Sequence, residues 1–420
     1  VPGKQQRHAI QPEQIHQRIQ SMLVSVESPV LAEEGEPPLP LKADQVALTI
    51  HGGKLILEAW GDTANLRRRI VGIAYEKPGV IALVAERFGG RRCRILLYDR
   101  SRPAAPNLDR RSKRMVHREQ FRLLLKRHYP DWRVAEVSSD ADLEHSLSPV
   151  YPRALLKQGG AGWAAIFAPD GAERTDGVLS FGLIWLDYLR RRERKVSVEG
   201  LALFLPSGQE NTTCLRLSCL NPHALRLALF LYNSQHDWPV DPARHGNLVT
   251  ILNPADQTHP TGDPNRPEAL LEARIRANPR LVDACLEPAP VYGQVPALAG
   301  IQRGILDLLA IDSRGRLAVI ELKATADLHL PLQALDYWMR VRWHAERGDF
   351  ARLGYFPGKA VLPVAPRLLL VAPAFEFHST TETLLRYFDT AIEVERVGLG
   401  LEWQRDFSVA FRLRGAGRPA

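Results

Sequence analysis

Two apolar runs near the middle of the last third of the chain, Gly304-Ile305-Leu306-Asp307-Leu308-Leu309 and Leu317-Ala318-Val319-Ile320-Glu321-Leu322-Lys323, each carry an acid where a buried strand would have none. A carboxylate in such a run is costly unless it meets a cation or a partner. The turn Ser313-Arg314-Gly315-Arg316 between them predicts adjacent strands, and the spacing of two between Glu321 and Lys323 puts both on one face. Two carboxylates and an ammonium would then converge on one sheet surface. Hard oxygen ligands of this kind suit Mg²⁺ or Mn²⁺, which keep several waters and accept phosphate oxygens. The ion would polarise a phosphate, and Lys323 would orient or deprotonate an attacking water.

The surrounding pattern alternates. It predicts helix 267–277, strands 304–311 and 317–324, helix 330–345, strand 367–372, helix 380–388 and strand 391–397, an α/β domain with a mixed sheet flanked by helices. Residues 234–266, rich in Pro, Asn, Asp and Gly, read as a linker. Four parts follow: an N-terminal arm at 1–44, an α+β, β-rich region at 45–233, the linker, and an α/β domain at 267–420. No repeat at a fixed period is apparent, which argues against solenoids and propellers.

In order, GILD (304–307), ELK (321–323) and QALDY (333–337) resemble the G-x-x-D, (D/E)-x-K and Q-x-x-x-Y pattern of the PD-(D/E)xK nuclease superfamily, in its RecB-type branch with likeness to NucS-type endonucleases. The resemblance covers roughly residues 262–400. It implies a restriction-endonuclease-like fold, Asp307 and Glu321 as metal ligands, Lys323 as the catalytic lysine, and Gln333 and Tyr337 as helix residues one turn apart that face the site. A further acid from the preceding helix is implied: Glu272 as a catalytic and metal-binding residue, with Glu268 the weaker candidate near the helix dipole. Cys285 is the one cysteine of this region, so no iron–sulfur cluster is expected. No Walker motif is visible.

The charge is uneven. Of 55 Lys and Arg against 47 Asp and Glu, residues 262–420 hold 20 and 19, leaving 35 against 28 in the first 261. Ten basic residues fall between Tyr98 and Arg127, where Asp109 would cap a helix running to His128 before Pro130, with Met115, Phe121, Leu124 and Leu125 on its apolar face. Its other face carries Arg110, Arg111, Lys113, Arg114 and Arg118. That is the footprint of a nucleic-acid contact, or equally of a solvated helix on an arginine-rich protein. The run Arg190 to Lys195 reads as a helix end.

Elsewhere, strand-like runs fill Val46 to Tyr98, with Gly52-Gly53 at a hairpin turn and not in a phosphate loop, since Leu55 stands where Ser or Thr is needed. Residues 1–44 predict a short helix and a loose arm. NTTCLRLSCL (211–220) reads as an alternating strand with Cys214 and Cys219 on opposite faces, and NPHALRLALFLYN (221–233) as helix-like. Cys93, Cys214, Cys219 and Cys285 make no disulfide or zinc pattern. The longest apolar stretch, Val178 to Leu189, is interrupted by Asp187 and falls short of the ~20 residues of a membrane span. With no signal-peptide pattern visible, the cytoplasm is the expectation. The composite expectation is a Mg²⁺- or Mn²⁺-dependent nuclease acting on nucleic acid, DNA before RNA, in repair or defence, with no membrane partner and dimer pairing left open. The alternative is an inactive nuclease-fold protein that binds or scaffolds nucleic acid.

Overall fold

A computed structural model describes residues 11–33, 39–42, 45–60, 65–86, 92–99, 110–171, 175–255, 267–299 and 302–415; at 110–113, 294, 296–299 and 302–307 it describes the backbone alone. The chain divides into two compact units, 1–123 and 124–420.

In the first unit, helix α1 (Pro12–Ser25) buries Ile15, Ile19, Met22 and Leu23, a stripe set by helical spacing. The stripe joins the core of a seven-stranded antiparallel sheet ordered β2-β1-β7-β6-β5-β4-β3. The strands are β1 (Pro29–Glu33), β2 (Leu39–Pro40), β3 (Val46–His51), β4 (Lys54–Trp60), β5 (Asn65–Lys77), β6 (Val80–Glu86) and β7 (Arg92–Asp99). Gly52 and Gly53 turn the β3–β4 hairpin at φ of +55° and +69°, which only glycine adopts without strain. The arm expected to be loose is partly sheet: β1 pairs along β7, and Glu33, buried, takes a two-point ion pair from Arg68 (3.1 and 2.8 Å). A short apolar strand flanked by acids and prolines looks like arm until its partner edge is known.

Helix α2 (Arg110–His128) crosses from one unit to the next. It ends where expected; Asp109, its expected cap, lies outside the described residues.

The second unit holds two six-stranded mixed sheets. The middle sheet, ordered β13-β12-β11-β10-β9-β8, comprises β8 (Arg133–Ser138), β9 (Arg153–Gln158), β10 (Ala161–Phe167), β11 (Ser197–Pro206), β12 (Arg226–Tyr232) and β13 (Asp237–Val240). Helix α3 (Val178–Arg192) links β10 to β11, and α4 (Asn211–Leu217) links β11 to β12. The C-terminal sheet runs β14-β15-β16-β17-β18-β19. After α5 (Pro267–Ala277) come β14 (Tyr292–Ala299), β15 (Gln302–Ile311), β16 (Leu317–Leu322), α6 (Leu330–Glu346), α7 (Asp349–Arg352), β17 (Arg367–Pro373), α8 (Thr381–Leu385), β18 (Val394–Leu399) and β19 (Val409–Arg414). The architecture is mixed α/β.

Two assignments in the middle region reverse. Residues 211–217 are a helix and 226–232 a strand. The parallel pair β11 and β12 needs a crossover, which the short helix supplies. Leu229 and Leu231 enter one core while Phe230 packs on the opposite face, so a strand buried on both sides presents an apolar run that also fits a helix. The placement of Cys214 and Cys219 on two strand faces falls with it. Cys214 is buried in α4, and burial pushes its thiol up to about 12. No disulfide joins the four cysteines.

The unit boundary lies at 123/124, and no division falls in the expected linker 234–266, of which 256–266 are outside the described residues. One core runs from α3 (Leu179, Leu183) through α6 (Leu335, Trp338) to α8 (Leu384, Leu385). Among the described residues no helix is long and apolar enough to cross a membrane.

Candidate active site

Strands β15 and β16 run antiparallel with Leu308 opposite Ile320, Leu309 opposite Val319 and Ile311 opposite Leu317. Carried one residue further, that register sets position 307 opposite Glu321. Val319 and Leu317 belong to the core under α6, and Glu321 lies in register with Leu370 of the same core. Glu321 therefore sits on the α6 face of the sheet, only 3% exposed. Lys323 follows just past the strand, where its N–H donates to the Val371 carbonyl (3.0 Å) and so prolongs the sheet by one bond. Strand alternation returns Lys323 to the Glu321 face. Its ammonium, a fifth exposed, stands 3.9 Å from the Asp327 carboxylate.

Asp327 accepts the His329 backbone N–H (2.8 Å) at the entrance to α6. His329 meets Ser180 at 3.4 Å and stands edge-on to Phe181 of α3. Across the same entrance Glu376 accepts the Ala326 N–H (3.0 Å), and His378 bonds Thr380 (2.8 Å). Burial pulls both His329 and His378 below the ordinary imidazole value, against the opposing pull of Asp327. His378 Nδ1 accepts the Thr380 backbone N–H (3.2 Å). Sequence reasoning missed this rim of Asp327, His329, Glu376 and His378. Its signal was the ATADLHL segment after ELK, which carries an acid and a histidine up to the start of a helix.

Gln333 and Tyr337 are half-buried and one turn apart on α6, whose packing covers the Glu321 face. Glu272 is placed elsewhere. A Cβ built on Gly293 would fall 2.8 Å from its carboxylate, and Gly293 pairs with Leu308, a residue of the core under α5. Glu272 thus lies on the sheet face opposite Glu321. Glu268 sits in the first turn of α5. Among the described side chains, which do not include Asp307, no three His, Cys, Asp or Glu groups cluster as metal ligands. Two carboxylate positions on facing strands beside an ammonium nonetheless have the donor chemistry for a hydrated Mg²⁺ or Mn²⁺, with water and phosphate oxygens completing the shell.

Of the basic residues on α2, Arg114 and Arg118 are half-buried, while the side chains of Arg110, Arg111 and Lys113 lie outside the described residues. Arg122 pairs with Glu119 (2.7 Å) and Arg127 with Asp237 (2.8 Å), so part of the positive charge is neutralised within the protein.

No protein-family model matches the chain, and no curated protein does. Among solved structures, a repair endonuclease from Pyrococcus abyssi is similar at 27% identity over 30% of this chain and 45% of its own, with a TM-score of 0.21. The chain spans less than half of that structure, and a likeness of this TM-score carries no argument.

Proposed function

We propose that the chain is a Mg²⁺- or Mn²⁺-dependent nuclease that hydrolyses phosphodiester bonds, with DNA as substrate. What supports this is the β15–β16 register, which sets the position of Asp307 opposite Glu321 on one sheet face, with Lys323 two residues on. Glu272, on the other face, is left out of the ligand set. The order GILD, ELK, QALDY fits the RecB-type pattern, and it is the ground for preferring DNA repair or defence.

Bound between the two carboxylates, the cation would supply Lewis acidity to the phosphate and lower the pKa of water. The chain's own groups do the rest. The Asp307 and Glu321 carboxylates would hold the ion, their negative charge offsetting its positive one. Lys323, held beside them by the sheet-prolonging bond to Val371, orients the attacking water and steadies the charge gathering on the phosphate oxygens. The water oxygen bonds to phosphorus, the bond to one ester oxygen breaks, and that oxygen leaves with a proton from solvent. The proton that the attacking water gives up passes to solvent. The Asp327 carboxylate, 3.9 Å from the ammonium, helps hold the lysine in place. Arg114, Arg118 and the basic positions before them give α2 a role in holding the phosphate backbone.

The test is incubation of the purified chain with plasmid, single-stranded, branched and RNA substrates in Mg²⁺ or Mn²⁺, beside Asp307→Asn and Lys323→Ala. Cleavage by the parent chain that both substitutions abolish is expected. Cleavage that survives either one refutes the site, and binding without cleavage in every metal leaves a scaffolding protein.

A further inference from the structure

We infer that residues 124–420 contain the same fold twice, facing itself about a pseudo-two-fold axis, and that only the second copy kept the acids. Resting on the nuclease reading above, it follows that one chain acting alone presents a single site to duplex DNA and cuts one strand per encounter.

The element order carries the first step. In the middle sheet β8, β9 and β10 form an antiparallel meander, β10, β11 and β12 run parallel through α3 and α4, and β13 returns antiparallel. In the C-terminal sheet β14, β15 and β16 form the meander, β16, β17 and β18 run parallel through α6 and α8, and β19 returns antiparallel. The helix before each meander also takes the same side. The end of α2 lays His128 on Phe204 and Phe230, opposite the face covered by α3. Likewise α5 packs Leu271 and Ile275 on Leu308 and Ile320, opposite the face covered by α6.

The contact between the copies has the form a two-fold axis requires, in which each patch meets its own equivalent. Helix α3 packs on α8, and its counterpart α6 packs on α4, the counterpart of α8. At the centre Leu220 bridges Phe388 antiparallel, each three residues beyond the end of its short helix. The Asn221 N–H donates to the Tyr387 carbonyl (2.8 Å) and the Asp389 N–H to the Cys219 carbonyl (2.9 Å), a pair of bonds symmetric about that bridge. The following residues repeat as well. Asn221 accepts the His223 N–H through its side chain (2.9 Å), and Asp389 accepts that of Ala391 (2.8 Å).

Backbone bonds then align the sites. Ala168 N–H donates to the Phe204 carbonyl (2.9 Å) as Lys323 N–H donates to Val371 (3.0 Å). Ile166 is in register with Leu203 as Glu321 is with Leu370, and Arg153 is opposite Ile166 as position 307 is opposite Glu321. Where the C-terminal copy has Asp307, Glu321 and Lys323, the middle copy has Arg153, Ile166 and Ala168. That place is also closed: Ile166 and Ala168 are buried, and a Cβ on Gly182 of α3 would already fall 3.2 Å from Ile166. A cationic guanidinium stands there instead of a carboxylate: Arg153 donates to the Asp140 carbonyl (2.8 Å) and lies over the Trp185 ring. No hydrated cation has room there.

Two-fold pairs of nucleases suit duplex DNA because its antiparallel strands are themselves related by two-fold axes, so two sites meet two strands. With one site closed, one strand is within reach. The experiment is supercoiled plasmid cleavage by the full chain in Mn²⁺, with light scattering at the same concentrations. Open circles accumulating before linear product, at a rate first order in a particle of 47.1 kDa, are expected. Linear product appearing from the outset, or a rate rising with the square of concentration in a particle of twice the mass, overturns the inference while leaving the nuclease reading intact. No cleavage of any substrate overturns that reading and takes the strand count with it.

Discussion

The middle and C-terminal halves of residues 124–420 share strand order, crossover helices and a common core, yet differ in what lies at the end of the third strand. In one, Ile166 and Ala168 are sealed under α3; in the other, Glu321 is buried on the α6 face and Lys323 stands beside Asp327 at the entrance to α6. The difference teaches that the scaffold does not need the carboxylates. Apolar groups at the same backbone positions complete the sheet with less desolvation cost, so the acids are retained where something else selects them.

The largest test of the contrast is catalytic. Lys323→Ala is expected to lower cleavage by about 10²–10⁴-fold, the ordinary worth of a positioned proton-handling group. Arg153→Ala, at the closed copy's counterpart of position 307, is expected to leave the rate per folded molecule unchanged in a plasmid assay. A comparable loss from Arg153→Ala would erase the distinction between the halves.

Next comes the seam between them. Arg216 of α4, 6% exposed, makes a two-point ion pair with Asp336 of α6 (2.9 and 2.8 Å). Asp336→Ala would strand a buried guanidinium and is expected to cost about 3–5 kcal/mol in urea unfolding. Removing Glu199 from its exposed pair with Arg226 is expected to cost no more than about 1 kcal/mol.

A smaller effect is expected at Gly293, where a methyl group would meet the Glu272 carboxylate and the Arg276 guanidinium. Gly293→Ala should cost about 1–3 kcal/mol by crowding, with Mn²⁺ affinity unchanged in calorimetry. Weakened Mn²⁺ binding would return Glu272 to the ligand set.

The smallest is pH. His329, His344 and His378, all in the C-terminal half, are each held below the ordinary imidazole value of 6.5, with burial the leading cause. Below that value the unfolded chain takes up protons that the folded chain resists. Stability is accordingly full above it and falls as the pH drops through it. His329→Asn should flatten that slope in denaturation midpoints; an unchanged slope would show that this ring does not titrate with folding.

Much of the C-terminal half was legible. Helix α5 spans the expected residues, and β15, β16, α6 and β17 lie within two residues of the expected bounds, because the helices carry a stripe of helical period and the strands, buried on both faces between two cores, read as short continuous apolar runs bounded by turns. Strands β14 and β19 were not, since edge strands carry mixed polarity and take their identity from the neighbour they join. The exchange at 211–232 has the same origin: a short amphipathic segment has no state of its own until a crossover demands one. The GILD and ELK spacing was readable, whereas the rim at Asp327, Glu376 and His378 comes from segments far apart in the chain.

By itself the sequence determined which strands carry acids, where the basic helix lies, and that Glu321 and Lys323 share a face, because these follow from periods of two and of about 3.6 along one backbone. Only the tertiary structure decided that Glu272 lies behind the sheet, that residues 124–420 form one unit, and that its two halves repeat one topology. Those facts depend on strand pairing and helix packing between distant segments, and backbone hydrogen bonds and buried volume conserve a fold without requiring the side chains to match.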